Sequence, residues 1–376
     1  MIYLNNAATS YPKPACVRQA VCQALSDPPQ DGARSSFAGA SPMEDCRRAL
    51  ARILGVSDPN RIFFTSGATE SFNLILRGLP LAGKKAVATL TEHNAVLRPL
   101  YALLPKESIR PAVSENDGAL SPEGLSRAME DGADYVFVNH CSNVTGLTQD
   151  LAALAGTAHA RGALVIADVS QSAGLMPLAL EAWGVDIAVF TGHKALFGPS
   201  GIGGFYLRPG TTLSSAKWGG TGTGGTAVIL NEPDLFEVGT PNLPGLAGLQ
   251  AGAGFLLETG LDAVRRSLER KTSYLYNALA KLPGVRMYGS PPQGAALAFN
   301  ISGLMPADVG FILQQVYGIV VRAGYHCAPL MANAIGAPQG TVRASLSYLT
   351  EDTALDALVT AVSEIAKDAP GAPNEN

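Results

Sequence analysis

Short apolar runs alternate along the chain with longer stretches in which apolar residues recur every three or four positions. The apolar runs predict strands at 2–4, 62–64, 85–90, 135–139, 164–167, 186–190 and 205–207. The helical spacing predicts helices at 14–25, at 41–54, from Thr69 onward, and at 150–161 between an Asp150 cap and Gly162. Repeated strand-then-helix units between 62 and 208 predict an α/β fold with a mostly parallel sheet covered by helices.

The pattern changes in the last third of the chain. A long helical region, roughly 245–282, predicts a bridge to a second domain. Beyond it the predicted elements are strands at 296–301 and 318–321, a helix at 308–317, and a last helix from a Thr350 cap to Lys367. The polar tail 368–376 is expected to be disordered.

Two polar residues close consecutive predicted strands. Asp168 follows the run 164–167, and Lys194 follows 186–190 after Thr-Gly-His. A helix-sized crossover between the strands predicts that they are parallel neighbours, so both side chains are expected at the sheet edge where open α/β sheets bind ligands. Pyridoxal 5'-phosphate (PLP) uses such a lysine for its aldehyde and an acid for its pyridine nitrogen. The alternative is a turn aspartate and a solvated loop lysine.

Three further segments have the pattern of a binding site. Residues 66–68 form a small-residue turn before the helix at Thr69, which predicts a phosphate cradle, although an ordinary capped turn has the same pattern. His93 begins a helix, either as a cap or as a ring that stacks on a ligand. The glycines at 220, 222 and 225 match GxGxxG, but no strand precedes them and no helix start follows, so we predict no dinucleotide site there.

Composition restricts the class of partner. The chain has 376 residues and a net charge of −4 without basic runs, which argues against nucleic acid or an anionic membrane surface as the main partner. The start MIYLNNAATS has no basic segment followed by an apolar one, so we expect no signal peptide, and no charge-free stretch is apolar enough to predict a membrane span. Five cysteines without CxxC spacing predict neither a metal site nor a disulfide framework and favour a reducing cytoplasm.

Nine segments, taken together and in order, resemble the class V aminotransferases, and among them the cysteine desulfurases and selenocysteine lyases. These segments are YLNNAATSYPKP, TSGATESFNL, EHNAVLRPL, NHCSNVTG, ADVSQSAG, FTGHKALFGPSGIGGFYLR, FEVGTPN, VRAGYHCAPL and VRASLSYL. The resemblance covers nearly the whole chain. It implies the PLP-dependent transferase fold type I, with a large PLP-binding domain over 15–250, a smaller α+β domain made from 1–14 and 251–367, and a homodimer.

The resemblance also implies a role for each matched residue around the cofactor. Lys194 is implied to bind the PLP aldehyde, and Asp168 to pair with the pyridine nitrogen. The ring is implied to stack on His93, and its phenolic oxygen to lie by Gln171 and near Asn143. The phosphate is implied to contact residues of two turns and one threonine of the partner subunit: Ala68, Thr69, Thr191, His193 and Thr240.

The implied reaction converts L-cysteine to L-alanine. Arg343, with Asn143, is implied to grip the substrate carboxylate, and Lys194 and His93 to act as catalytic residues. Cys327 is the implied nucleophile that takes the sulfur as a persulfide. Because the loop between Cys327 and Arg343 is short, the implied next partner is a sulfur-acceptor protein that docks at the mouth of the pocket.

The chain departs from the family pattern at two positions. Thr191 stands where many relatives have serine, and Tyr325 replaces one histidine of the more familiar HHC stretch. His326 adjoins Cys327 and is a candidate base for its thiol, although adjacent side chains of a strand point to opposite faces. The alternatives are a selenocysteine lyase or another PLP-dependent C–S lyase, an aminotransferase or epimerase of the same fold, and a cofactor-free scaffold subunit or nucleotide-binding protein.

Overall fold

The computed structural model describes residues 1–28, 41–112, 117–221, 232 and 234–370. The strands of this part are β1 Ile2–Tyr3, β2 Ile62–Thr65, β3 Ala86–Thr89, β4 Ile109–Ala112, β5 Tyr135–Asn139, β6 Leu164–Asp168, β7 Ile187–Thr191, β8 Gly203–Leu207, β9 Val285–Tyr288, β10 Ala296–Ile301, β11 Ile319–Val320, β12 Arg322–Gly324 and β13 Thr341–Ser345. The helices are α1 Ala15–Ser26, α2 Pro42–Leu54, α3 Ala68–Gly78, α4 Asn94–Leu103, α5 Pro122–Ala128, α6 Leu151–His159, α7 Leu243–Thr259, α8 Leu261–Ala280, α9 Pro306–Gln315, α10 Pro329–Ala334 and α11 Asp352–Lys367.

Seven strands form the large sheet in the order β2-β8-β7-β6-β5-β3-β4. All are parallel except β8, which runs antiparallel to both of its neighbours. The strands β5 and β7 are buried along their whole length, as expected of parallel strands with helices on both faces. The side chains alternate between two cores, since Val136 and Val138 belong to one apolar cluster and Tyr135 and Phe137 to the other.

A smaller antiparallel sheet follows, in the order β12-β13-β10-β9, and the first strand of the chain pairs with β11. The segment after β1 is tied to β13, because Ser345 N donates to Leu4 O at 2.7 Å and Asn6 N donates to Ser345 O at 3.2 Å. The two ends of the chain therefore share one sheet region. We keep 15–250 and 1–14 with 251–367 as our proposal for the limits of the two domains.

The α/β class and the mostly parallel sheet are confirmed, but two local predictions are wrong. Residues 169–185 form a series of turns instead of a crossover helix. Thr350 does not cap α11, whose cap position is Glu351, and its hydroxyl accepts from Ser347 N. The helical region predicted at roughly 245–282 is confirmed, and it consists of two helices that Gly260 separates with a φ of 85°.

The crossover prediction failed for a physical reason. Gly174 has a φ of 89°, and a Cβ there would lie 2.7 Å from Ala195 O, so the backbone packs directly onto the loop that carries Lys194. Pro177 and Gly184 interrupt the same segment. Even without the helix, β6 and β7 pair in parallel, with Asp168 opposite Val189. The two strands are therefore parallel neighbours, as predicted.

Two sequence predictions fall partly outside the described residues. The GxGxxG match includes Gly222 and Gly225, and the predicted disordered tail includes 371–376; these residues lie outside them. Among the helices that are described, none combines the length and the apolar character needed to cross a bilayer.

Candidate active site

A cavity of about 430 Å³ opens at the carboxyl ends of the central parallel strands, a volume within the usual range for ligand pockets. Nine of the twelve predicted site residues line it: Ala68, Thr69, His93, Asn143, Asp168, Gln171, Thr191, His193 and Lys194. The other three, Cys327, Arg343 and Thr240, do not line this cavity. Sequence positions as far apart as 68 and 194 therefore meet at one edge of the sheet.

One end of the cavity is built by the turn between β2 and α3. Gly67 has a φ of 148°, and a Cβ on it would lie 3.6 Å from Thr191 Oγ1, so the turn faces the end of β7. The helix begins at Ala68 without a side-chain cap, and its first amides therefore have no partner within the helix. An uncapped helix N-terminus beside the Thr69 and Thr191 hydroxyls is suited to bind a phosphate.

Lys194 lies on the loop between β7 and β8, and the N-terminal segment fixes this loop. Ser10 Oγ donates to Lys194 O at 2.7 Å, and His193 O accepts from Thr9 Oγ1 at 3.0 Å and from Lys13 Nζ at 2.7 Å. Burial lowers the pKa of the Lys194 ammonium, and the negative charge of Asp168 acts in the opposite direction. A lysine held this way releases its proton more readily than a solvated one.

Asp168 ends β6 and is buried, with Oδ1 accepting from Ser170 N at 2.9 Å. The charge of Asp168 acts on Glu92, a fully buried carboxyl that was not singled out from the sequence. Burial, and then the charge of Asp168, raise the pKa of Glu92 to about 8, so this carboxyl is mostly protonated at neutral pH. Glu92 Oε1 accepts from Thr89 Oγ1 at 2.8 Å. The sequence signal for Glu92 was its position directly before His93 and three residues after the end of β3.

His93 is both a cap and a wall of the cavity, so the two interpretations of this residue do not compete. Its Nδ1 accepts from Ala95 N at 3.0 Å, which caps α4, and the ring lines the cavity. Burial, and then the charge of Lys194, lower the pKa of His93 to about 4. The ring is therefore neutral at pH 7, with Nδ1 as the acceptor and Nε2 carrying the proton.

Several buried polar atoms have no partner within the described part of the chain, among them Asn143 Oδ1, Ser170 Oγ and His193 Nδ1. All three residues line the cavity. Burial lowers the pKa of His193 to about 4, so its ring is neutral. Gln171, which is also buried, donates from Nε2 to Ala7 O at 2.9 Å. Orphaned donors and acceptors, a free helix N-terminus and the Asp168 and Lys194 pair together fit a phosphorylated heteroaromatic aldehyde such as PLP.

Arg343 lies on β13 and is fully buried. Its Nη1 donates to Asn143 O and its Nη2 to Asn5 Oδ1, both at 2.8 Å, whereas the buried Nε has no partner among the described residues. Burial, and then the charge of Arg322, lower the pKa of Arg343 to about 9, which leaves it charged at neutral pH. The free Nε and the second hydrogen of Nη2 form an edge that can receive a carboxylate.

Cys327 lies on a turn and not on a strand. His326 and Cys327 have φ values of 53° and 61°, and Asn94 N donates to Cys327 O at 2.8 Å. The thiol is partly buried, and Arg322 Nη2 lies 3.1 Å from its Sγ. Arg322 lines the Lys194 cavity and was not singled out from the sequence, although it stands five positions before the thiol.

The neighbouring His326 side chain is directed away from the thiol, as expected, although the segment is a turn and not a strand. Its Nε2 lies 3.0 Å from Thr341 O and 2.9 Å from Thr341 Oγ1. Burial, and then the charge of Arg343, lower the pKa of His326 to about 3. The ring is neutral and bonded to β13, which does not favour it as the base for the Cys327 thiol. Tyr325 is exposed, and its hydroxyl donates to Pro338 O at 3.1 Å.

Thr240 is exposed and precedes the N-terminus of α7. It does not line the cavity of its own subunit. The Thr240 hydroxyl is therefore not placed at the end of the cavity that is built by the turn between β2 and α3. Its exposed position is compatible with a contact to a neighbouring subunit.

The sheet order and the lysine and aspartate at adjacent strand ends define the PLP-dependent transferase fold type I. A family model described as aminotransferase class-V matches residues 2–358. A probable cysteine desulfurase from Methanothermobacter thermautotrophicus is 30% identical, with 97% of this chain and 94% of that protein covered. A cysteine desulfurase from Escherichia coli is 32% identical, with 86% and 82% covered.

Solved structures agree with the sequence comparisons. The apo structure of a cysteine desulfurase from Thermococcus onnurineus superposes with a TM-score of 0.86 at 30% identity, covering 97% of this chain and 94% of that one. A cysteine desulfurase from Escherichia coli in an S-sulfonic acid form gives a TM-score of 0.86 at 28% identity, covering 98% and 95%. The chain belongs to the aminotransferase class-V family, which confirms the predicted family and fold class.

Proposed function

We propose that this protein is a PLP-dependent cysteine desulfurase, which converts L-cysteine to L-alanine and takes the sulfur onto Cys327 as a persulfide. The observation that carries the proposal is the position of the thiol: Cys327 Sγ is 3.1 Å from a guanidinium nitrogen of Arg322, and Arg322 lines the same cavity as Lys194. The relatives at 30% and 32% identity that are named as cysteine desulfurases support it.

Within this proposal the cavity holds PLP. Ala68, Thr69, Thr191 and His193 bind the phosphate, and His93 lies against the ring. Asp168 holds a proton at the pyridine nitrogen, while Gln171 and Asn143 lie near the phenolic oxygen. When bound, PLP supplies an aldehyde that captures the substrate amine and a ring that accepts electrons from the substrate. Asp168 is the one acidic side chain among these residues, and burial keeps the His93 and His193 rings uncharged at pH 7.

The remaining steps belong to side chains of the chain itself. Arg343 receives the substrate carboxylate on its free edge, with Asn143 beside it, and this contact orients the α-hydrogen. Lys194, whose pKa burial lowers, takes the α-proton as a general base. Cys327 then attacks the substrate sulfur: an S–S bond forms, the Cβ–S bond breaks, and its electron pair stays with the carbon, which is protonated to give alanine.

Product analysis tests the proposal directly. With L-cysteine we expect alanine as the organic product and sulfur equal in amount to the alanine when a thiol reductant is present. A β-eliminating C–S lyase would instead give pyruvate with ammonia and sulfide, and would accept cystathionine. A selenocysteine lyase would release alanine from L-selenocysteine and little from L-cysteine. Pyruvate as the main product from L-cysteine would contradict the proposal.

We also propose a homodimer in which Thr240 reaches the phosphate bound by the partner subunit. Loss of this hydroxyl in Thr240→Val should weaken PLP binding about tenfold, the usual effect of losing a hydrogen bond to a charged group. A heterodimer of one Thr240→Val subunit and one Lys194→Ala subunit separates the possibilities. If Thr240 acts on the partner's site, the site that retains Lys194 also receives an intact Thr240 and binds PLP as in the wild type.

The same heterodimer gives the opposite result if Thr240 serves its own subunit, because the site with Lys194 then lacks the hydroxyl and binds PLP weakly. A fully active PLP-loaded monomer in sedimentation would contradict the shared site altogether. Two further parts of the proposal are an acceptor protein that removes the sulfur at the pocket mouth and a cytoplasmic location, which the five free cysteines support.

A further inference from the structure

Two arginines stand directly opposite each other beside the proposed site. Arg322 of β12 is paired with Arg343 of β13 in the antiparallel register, so both side chains leave the sheet on the same face. Like charges in this arrangement repel, and the charge of Arg322 contributes to the lowered pKa of Arg343. Neither guanidinium has a carboxylate within salt-bridge distance in the described part of the chain. The pair is therefore suited to hold anionic groups other than carboxylate side chains.

The two arginines differ in what they already contact. Arg343 is fully buried and is held by Asn143 O and Asn5 Oδ1, both neutral oxygens. Arg322 is only half-buried, lines the Lys194 cavity, and directs Nη2 to Cys327 Sγ. The proposed reaction brings two anionic groups to this face, the substrate carboxylate and the sulfur of the nucleophile. These contacts suit Arg343 to the substrate carboxylate and Arg322 to the sulfur of Cys327.

We propose that Arg322 is a further catalytic residue, which holds the anionic sulfur of Cys327 as the thiolate that attacks and then as the persulfide that results. This inference rests on the proposed function. The thiolate attacks the substrate sulfur, and the S–S bond forms as the Cβ–S bond breaks with its electron pair left on Cβ. The thiol proton of the substrate ends on that carbon, so the negative charge ends on the terminal sulfur of the persulfide. The guanidinium thus faces a negative sulfur before and after the step, and a charge-assisted N–H donor favours both states.

Alkylation of Cys327 tests the contact without any turnover. The rate of carbamidomethylation by iodoacetamide is measured by mass spectrometry on the Cys327 peptide, with the exposed Cys22 peptide of the same sample as internal reference. We expect Arg322→Met to slow Cys327 alkylation about tenfold, as for the loss of a hydrogen bond to a charged group. Arg322→Lys, which keeps the charge, should lie in between. Arg127→Met, an exposed arginine on α5, is the matched control and should leave the rate unchanged.

A second measurement follows the sulfur in a single turnover with L-cysteine. Arg322→Met should form the Cys327 persulfide about tenfold more slowly, with little change in KM, because the carboxylate contact belongs to Arg343. An unchanged alkylation rate in a folded Arg322→Met protein would overturn the proposal. So would a rise in KM with normal persulfide formation, since Arg322 would then bind the carboxylate. Because alkylation needs no substrate, it tests the contact between Arg322 and the Cys327 thiolate even if wild-type protein makes no alanine.

Discussion

Replacing Lys194 with alanine should lower turnover of L-cysteine by at least about 10³-fold while leaving the fold intact, since a general base alone contributes roughly 10²- to 10⁴-fold. Lys194 is the one lysine that lines the cavity within the described residues, and the Asp168 charge lies close enough to affect its pKa. Burial lowers that pKa, so removing the ammonium also removes a desolvated charge. We therefore expect no loss in the temperature of unfolding.

The assignment is checked by labelling as well as by activity. Borohydride treatment of the wild-type protein loaded with PLP should fix a pyridoxyl group on the Lys194 peptide, and Lys194→Ala should lose both the label and the long-wavelength absorbance of the loaded protein. Lys106→Ala, a change of an exposed lysine before β4, is the control and should behave like wild type. A pyridoxyl group on another lysine of the wild-type protein would show that the assignment is wrong.

The position of Lys194 and Asp168 was predictable because it depends on short-range pattern. Asp168 directly follows the apolar run 164–167, and Lys194 follows the apolar run 187–190 after three residues. Such runs become buried parallel strands. The prediction that the two strands are neighbours was right, although the predicted helix between them was wrong. The chain crosses over through turns at 169–185, where the backbone of Gly174 packs onto Ala195 O. Strand pairing required only that the connection be long enough.

The substrate end of the site was harder to predict because it depends on contacts between distant residues. Arg343 is held by Asn5, 338 positions away in the chain, and by Asn143, 200 positions away. The buried Glu92 and the Arg322 contact to Cys327 Sγ likewise appear only when the sheets are assembled. Nothing in the spacing of single residues reports such contacts, so only the family resemblance led to Arg343.

The turn that carries Cys327 could not be predicted from the sequence, for a different reason. Residues 322–327 look like one strand, but β12 ends at Gly324, and the next turn places His326 and Cys327 in the left-handed region with φ values of 53° and 61°. Such values are uncommon for residues other than glycine. Contacts from outside the segment accompany them: Asn94 N donates to Cys327 O, Asn143 Nδ2 donates to His326 O, and Thr341 contacts the His326 ring. A local pattern cannot anticipate a turn that distant elements stabilise.

Replacing Cys327 with serine should reduce alanine formation from L-cysteine by at least about 10³-fold, because a serine hydroxyl is not ionised at neutral pH and is a poor nucleophile toward sulfur. The steps before sulfur transfer should remain. The thiol makes no hydrogen bond to Lys194, to Asp168 or to the turn between β2 and α3. A serine hydroxyl can still accept a hydrogen bond from Arg322. The variant should therefore bind PLP and L-cysteine, exchange the α-proton of the substrate with solvent, and then stop.

The persulfide expected on Cys327 of the wild-type protein can be detected directly. Wild-type protein treated with L-cysteine should gain about 32 Da on the Cys327 peptide, removable by dithiothreitol, as expected for one added sulfur on a reactive thiol. Cys22→Ser, which changes an exposed thiol of α1, is the matched control and should keep both the activity and the added mass. The buried Cys46 and Cys141 should stay unmodified, because burial raises the pKa of each thiol and keeps it protonated.

The same variant separates the proposed desulfurase from its nearest alternatives. A transaminase, an epimerase or a β-eliminating lyase does not use the thiol, so Cys327→Ser would keep most of its activity and no persulfide would form. A selenocysteine lyase would lose its small activity on L-cysteine and retain much of its activity on L-selenocysteine, because selenide leaves more easily than sulfide. Full activity of Cys327→Ser on L-cysteine would therefore remove the thiol from the mechanism, and with it the role proposed for Arg322.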